Sequence, residues 1–304
     1  MSKALGSANG VMTARSNTPW STRIARHIAK GWKRFWPFEH GRWLYIRLIG
    51  GAVRAGLLGP LWLEFRTGLW IKLNIQDLLQ EELLLSGVWD PGITSYLCAQ
   101  LKPGCVFMDI GANVGYFSLL AGSLVGPTGK VIAVEPNHDV AVQLKQNAAK
   151  SEVTNIALEE VCCSESAGQR TFFLSEAMNS GKSSLSQANA EGSRSLEIAC
   201  TTVDLLVDGY NLQRVDAVKV DVEGAEMEVL RGMRSTLAQF RPALLIELLP
   251  PLLARFSATA EDVIEFLAQQ GYSMTSSDKN DNYIFRPGAT VERESASLPH
   301  SVSG

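Results

Sequence analysis

The chain has 304 residues, of which 46% are hydrophobic and 19% charged; this is the composition of an ordinary soluble protein, with length for one large domain plus an appendage. No apolar run of ~18 residues is free of charges, so a transmembrane helix is not expected, and no compact hydrophobic segment follows the first basic residues as in a secretory signal. The net charge of −3 conceals an asymmetry: residues 1–55 hold ten Lys or Arg against Glu39 alone, a net of +9, which leaves −12 for residues 56–304. Five cysteines (Cys98, Cys105, Cys162, Cys163, Cys200) without metal-ligand spacing read as free thiols in a reducing cytoplasm.

Four zones are expected. Residues 1–40 form a basic, partly flexible arm. Within it Ile24, Ile28, Trp32 and Phe35 recur on one helical face and Arg26, Lys30, Lys33 and Arg34 on the other. Such a helix either docks on the domain with its basic face solvated or lies on an anionic membrane surface through residues 21–36. The acid-free, Arg- and Ser-containing start also has the look of an organellar transit peptide. Residues 41–104 form an extension with an apolar helix-like stretch, a strand at 69–75, a helix near 92–101 and a turn at Pro103-Gly104.

The main domain is expected at 105–287, where the rhythm becomes strand, helix, strand, helix. Strands are expected at 105–110, 130–135, near 157–162, at 217–222 and at 243–248. Helices are expected from Gly115, over 138–150, over 224–238 and from the cap Thr259 to Gln270, with Asp262 completing a capping box. Segments 271–276 and 282–286 could close the sheet as an antiparallel pair. Residues 175–195, rich in Ser, Asn and Gly, read as a loop, and 288–304 as a disordered tail. The pattern specifies an α/β fold with a doubly wound, mostly parallel sheet.

In such sheets ligands bind beyond the carboxyl ends of the strands. The first strand ends in Asp109-Ile110-Gly111-Ala112-Asn113-Val114-Gly115, whose glycines permit a tight turn into a helix. Twenty residues after Gly115, Glu135 ends the next strand, where an acid suits the hydroxyls of an adenosine ribose. Asn113 stands where a dinucleotide loop needs its second glycine, and no Gly-Lys-Ser/Thr follows as in a P-loop. Asp109 would repel a phosphate but suit the cationic amino or sulfonium group of S-adenosylmethionine.

With Tyr116-Phe117-Ser118, Val134-Glu135-Pro136, the run Lys219-Val220-Asp221-Val222-Glu223-Gly224-Ala225-Glu226 and Pro242–Glu247, these motifs closely resemble the FkbM methyltransferases over roughly residues 70–275. The resemblance implies the class I, Rossmann-like, seven-stranded methyltransferase fold and O-methylation of hydroxyls on sugars, glycolipids or natural products. It places the donor's methionine part at Asp109, Gly111, Ala112, Asn113, Gly115 and Tyr116, and its ribose at Glu135 and Pro136. The adenine falls near Cys163 and Ser164, although Cys162-Cys163-Ser164-Glu165 departs from the family's usual Ala-Val-Ser-Asp flavour.

Removing an alcohol's proton calls for a general base, and Asp221 and Glu223 are the candidates; His138, at the start of a helix, reads as a surface residue. Glu226 is expected to favour its helix's first turn by charge, and Glu247 stands equally between the two roles. No metal site is expected, with a Mg²⁺-assisted reaction at a vicinal diol as the alternative. A non-catalytic binding module keeping the nucleotide fold is a further alternative. Nucleic acid is not an expected partner, because the body is acidic and the arm lacks an aromatic platform. Acceptor specificity is assigned to residues 40–100 and to the loop 175–195, including Ser183 and Ser184. Oligomeric state leaves no mark in the sequence.

Overall fold

The computed structural model describes residues 19–35, 42–57, 59–74, 77–174, 184–186, 194–278 and 280–288. Most of the expected loop at 175–195, including Ser183, and all but Gly288 of the expected tail lie outside them. The N-terminal part comprises helices α1 (Trp20–Phe35) and α2 (Arg42–Arg54), the hairpin β1 (Trp62–Arg66) and β2 (Leu69–Lys72), and helices α3 (Leu78–Ser86) and α4 (Pro91–Gln100). Then come β3 (Val106–Ile110), α5 (Tyr116–Val125), β4 (Lys130–Val134), α6 (His138–Lys150) and β5 (Ile156–Glu159). A small flap of β6 (Cys162–Cys163), β7 (Gly168–Leu174) and β8 (Arg194–Thr201) follows, then α7 (Val203–Gly209) and β9 (Ala217–Val220). The chain ends with α8 (Glu226–Arg231), α9 (Arg234–Phe240), β10 (Ala243–Glu247), α10 (Pro250–Leu253), α11 (Ala260–Gln269), β11 (Tyr272–Ser277) and β12 (Asn282–Pro287).

The main sheet has seven strands in the order β11-β12-β10-β9-β3-β4-β5, parallel except for the antiparallel β12 and the β11–β12 hairpin. This is the seven-stranded class I methyltransferase sheet. The order reverses between β3 and β9, so a crevice opens where both chains leave the sheet.

Period-two alternation sorts the strand residues into two layers. Met108, Ile110, Ile132, Val134, Val218, Val220, Leu244 and Ile246 pack into one core with α7–α9 and α11. Phe107, Val131, Ala217 and Leu245 face the other side, where they share a core with α4, α5 and the β1–β2 hairpin. On that second face two polar residues, Asp109 and Lys219, stand at the positions where continued alternation would bring further apolar side chains.

Four differences from the sequence reading have physical causes. The helix expected over 224–238 is two, α8 and α9, separated at Gly232, where the backbone packs so closely on Ser164 that a Cβ would sit 2.1 Å from its carbonyl oxygen. Strands β7 and β8 were not anticipated; their alternation is mostly solvent-exposed, so no apolar pattern marks them. Cys162 lies opposite Cys200 in the β6–β8 ladder with Cα atoms 4.6 Å apart, and the two form a disulfide, which corrects the expectation of five free thiols to three. Finally, α1 docks through its small residues. Ser21, Thr22, Ala25 and Ala29 are buried, and Thr22 Oγ1 accepts the Trp62 N–H at 3.0 Å, while Ile24 and Ile28 face outward. Among the described residues no helix is long and apolar enough to cross a membrane.

Candidate active site

The loop after β3 folds back over the end of β4: the N–H groups of Gly111 and Ala112 both donate to the Val134 carbonyl, at 3.0 and 2.9 Å. Gly111 has φ +84°, and a Cβ there would lie 1.8 Å from the backbone oxygen of Asp221, so this glycine lets the ends of β3 and β9 close on one another. Gly115, at φ +88°, makes room for Leu144. Asn113 takes the left-handed conformation, and its N–H donates to Glu135 Oε2 at 2.9 Å. The Asn137 N–H donates to Glu135 Oε1 at 2.8 Å.

Two backbone donors thus fix the Glu135 carboxyl, and each oxygen keeps a lone pair for a further donor, which is what a ribose diol requires. Burial pushes this carboxyl up to about 7 even against those two N–H groups. Ala112 is buried against Ala133 and Leu144, and Pro136 is half-buried at the turn into α6.

Four of the expected donor-binding residues turn their side chains into the protein. Tyr116 is buried with its ring centroid 4.6 Å from that of Phe65 and its hydroxyl 3.2 Å from Thr94 Oγ1. The Ser164 hydroxyl donates to Glu228 at 2.7 Å and accepts from Arg170, while burial pushes the Cys163 thiol up to about 12. Asp109 is fully buried and accepts from Ser118 Oγ at 2.6 Å; its other oxygen is buried without a hydrogen-bond partner. His138 is exposed and pairs with Glu160.

What neutralises Asp109 is Lys219, its register partner on β9. Lys219 is only 6% exposed, and its Nζ donates to Asp221 Oδ2 at 2.8 Å and lies 5.2 Å from the Phe117 ring centroid. Glu247, at the end of β10 on the same face, completes the group. Burial and the negative charge of Asp221 push its carboxyl well above the usual range. Asp90, capping α4 with φ 40°, lies near enough to feel both Lys219 and Asp221, and burial raises its carboxyl above the usual range.

Lys219 and Asp90 had no assigned role in the sequence. A lysine inside an otherwise apolar four-residue strand was the signal for the first, since a buried ammonium needs a counter-charge. Asp90 carried only the mark of a helix cap.

Glu223 does not continue an extended strand from Asp221. Strand β9 stops at Val220, and Glu223 takes φ 56° in a turn. Gly224 must approach the Leu252 carbonyl, where a Cβ would lie at 2.6 Å, and Glu226 Oε1 accepts the N–H groups of Val222 and Gly224 at 3.1 and 3.0 Å. Glu226 lies in the first turn of α8, as expected, and is in addition a buried clamp on the turn before it. Ser184 Oγ donates to the Glu223 carbonyl at 3.1 Å, so this residue of the 175–195 segment rests against the Asp221–Gly224 turn. Among the described residues no group of three or more His, Cys, Asp or Glu side chains is arranged to hold a metal ion.

Residues 109–274, from the loop acid to the middle of β11, match the methyltransferase FkbM domain. The chain belongs to the FkbM methyltransferase family. As an FkbM protein it is a methyltransferase with S-adenosylmethionine as its methyl donor. The hexuronic acid methyltransferase AglP of Haloferax volcanii is 27% identical over 193 residues, covering 64% of the chain and 74% of that protein. The 31-O-demethyl-FK506 methyltransferase FkbM of Streptomyces tacrolimicus is 29% identical over 161 residues, covering 44% of the chain and 61% of that protein. A solved FkbM methyltransferase from Methylobacillus flagellatus superposes with a TM-score of 0.41 at 14% identity, covering 67% of the chain and 52% of that structure.

Proposed function

We propose that this FkbM methyltransferase methylates a hydroxyl oxygen of a sugar, glycolipid or natural product, and does so without a metal ion. The observation that carries the reading is the Asp221–Lys219 pair at the crevice between β3 and β9, beside the donor loop. Two relatives support the acceptor class by name, one acting on a hexuronic acid and one on 31-O-demethyl-FK506.

The donor supplies a methyl group already activated on a sulfonium, so the chain's own residues have to align the acceptor and take up its proton. Lys219 fixes Asp221 through Oδ2 and Glu247 hydrogen-bonds to the same side chain, so the Asp221 carboxylate is held in place to meet the acceptor hydroxyl. Proton removal falls to Asp221 or Glu223. Glu247, whose carboxyl burial and Asp221 push upward, favours one shared proton over a further negative charge in the crevice. The Lys219 ammonium, in a wall of low dielectric, offsets charge as the acceptor oxygen becomes an alkoxide. That ammonium also occupies the place beside Asp221 where a magnesium ion would have to sit, which favours the metal-free reading over the Mg²⁺-assisted one.

The test uses purified protein, labelled donor and hexuronate-containing or polyol acceptors, with the product's methylated atom read by mass and NMR. Asp221→Asn and Glu223→Gln should each lower turnover by ~10²–10⁴-fold, as loss of a general base does. S-adenosylhomocysteine affinity should stay within about tenfold, and activity should survive EDTA. Wild-type turnover by both amide variants, or methylation on nitrogen or carbon, would sink the assignment.

A further inference from the structure

Helix α1 is amphipathic in an unusual sense, because its small face is the buried one. Trp20, Ile24 and Ile28, spaced by four, are 60%, 44% and 40% exposed and form an apolar stripe about 12 Å long. Arg23, His27 and Lys30, also exposed, lie along one edge of that stripe. Ser21, Thr22, Ala25 and Ala29 take the opposite side, against the domain. The helix carries five Lys or Arg and no acid, on a chain whose remaining body is strongly negative. On α2, packed beside it, Leu48 and Arg47 are exposed as well.

We propose that this outer face of α1 seats the protein on an anionic lipid surface. An aqueous surface does not call for Trp and two Ile outward while Ala faces the core. An acidic membrane does: the stripe enters the boundary between headgroups and acyl chains, with the cations beside it at the phosphate level. A neutral apolar partner would leave the basic edge unmatched. On its inner side α1 is tied to the domain, where Arg26 donates to the Leu85 carbonyl at 3.4 Å, five residues before Asp90. The seating itself does not depend on which acceptor is methylated.

The experiment is co-sedimentation of the full chain with vesicles of phosphatidylserine and phosphatidylcholine, and with phosphatidylcholine alone. Binding is expected only to the mixed vesicles, at low salt, with release at high salt. Arg23→Gln with Lys30→Gln should weaken it about thirtyfold, the loss of two charges near such a surface. Trp20→Ser with Ile24→Ser and Ile28→Ser should weaken it at least tenfold at any salt. All these residues are exposed, so the thermal shift given by S-adenosylhomocysteine should be unchanged and serves as the folding control. Failure of the wild-type chain to bind mixed vesicles, or equal binding by every variant, would overturn the proposal. So would a dimer in sedimentation velocity that dissociates on the Ser substitutions without vesicle binding.

Discussion

Replacing Lys219 by Met removes one positive charge from the inner wall of the crevice while nearly keeping its volume. Asp109, fully buried, and Asp221, at 2.8 Å, would then share that wall without a cation. Removing one partner of a buried ion pair costs about 3–5 kcal/mol; since Asp221 is half in water, the lower end applies, about 3 kcal/mol. For a fold of this size that corresponds to a melting temperature lower by roughly 6–12 °C. The sign with pH follows from Asp109. Burial already raises its carboxyl, and Lys219 is the largest influence lowering it, so the variant raises it further. A carboxyl with a folded pKa above its unfolded one contributes stability that is fully present below the unfolded pKa and lost as pH rises through the folded one. The deficit of Lys219→Met should therefore be small in acid, where Asp109 carries its proton, and reach full size towards mildly alkaline pH. Urea unfolding followed by tryptophan fluorescence at the two ends of that range reads it directly. Adding Asp109→Asn should recover more than half of the loss. A deficit of the same size in acid and base would mean that shape, not charge, holds this wall together, and the electrostatic account would fail.

Gly111→Ala places a methyl 1.8 Å from the Asp221 carbonyl, so the end of β9 must move by more than 1 Å and turnover should fall about 100-fold; wild-type turnover would refute that coupling. Glu226→Gln should flatten the stability profile. Burial moves this carboxyl from 4.5 to about 7, so stability worth about 3 kcal/mol is lost as pH rises across that interval, and the amide, which does not titrate, should lack that slope in urea unfolding. Glu135→Ala removes the acceptor of the Asn113 and Asn137 N–H groups together with the ribose partner, so S-adenosylhomocysteine should bind at least tenfold more weakly by calorimetry; unchanged affinity would place the ribose elsewhere.

The parallel core was legible because its strands are fully buried apolar runs, and Val106–Ile110 followed by glycines has few other uses. Thr259 with Asp262 marked α11 through a capping box that the structure contains. The closing hairpin at β11 and β12 was equally plain. Less of the site could be read. Asp109 was assigned to the donor because a sequence shows an acid at a strand end but not which side of the sheet it faces. Its register with Lys219 turns it inward. The turn that holds Glu223 is not legible either, since nothing local announces that Leu252, some thirty residues on, leaves space only for a glycine at Gly224. In α1 the large apolar residues were the natural choice for the buried face, whereas burial there depends on Ala25 and Ala29 fitting closely against the domain.

The shared core has a consequence for biosynthesis. Leu63, Phe65, Leu83 and Leu97 belong to the same buried cluster as Phe107, Leu245 and Ile284, so the hairpin and helices made first have no complete partner until the last strands are made. At about 5–20 residues per second, roughly ten to forty seconds separate the synthesis of α4 from that of β12. Through that interval the nascent chain displays half of an apolar core. The protein is committed to late, cooperative closure, and its demand for chaperones should be set by the N-terminal hundred residues, well ahead of the motifs that carry its chemistry.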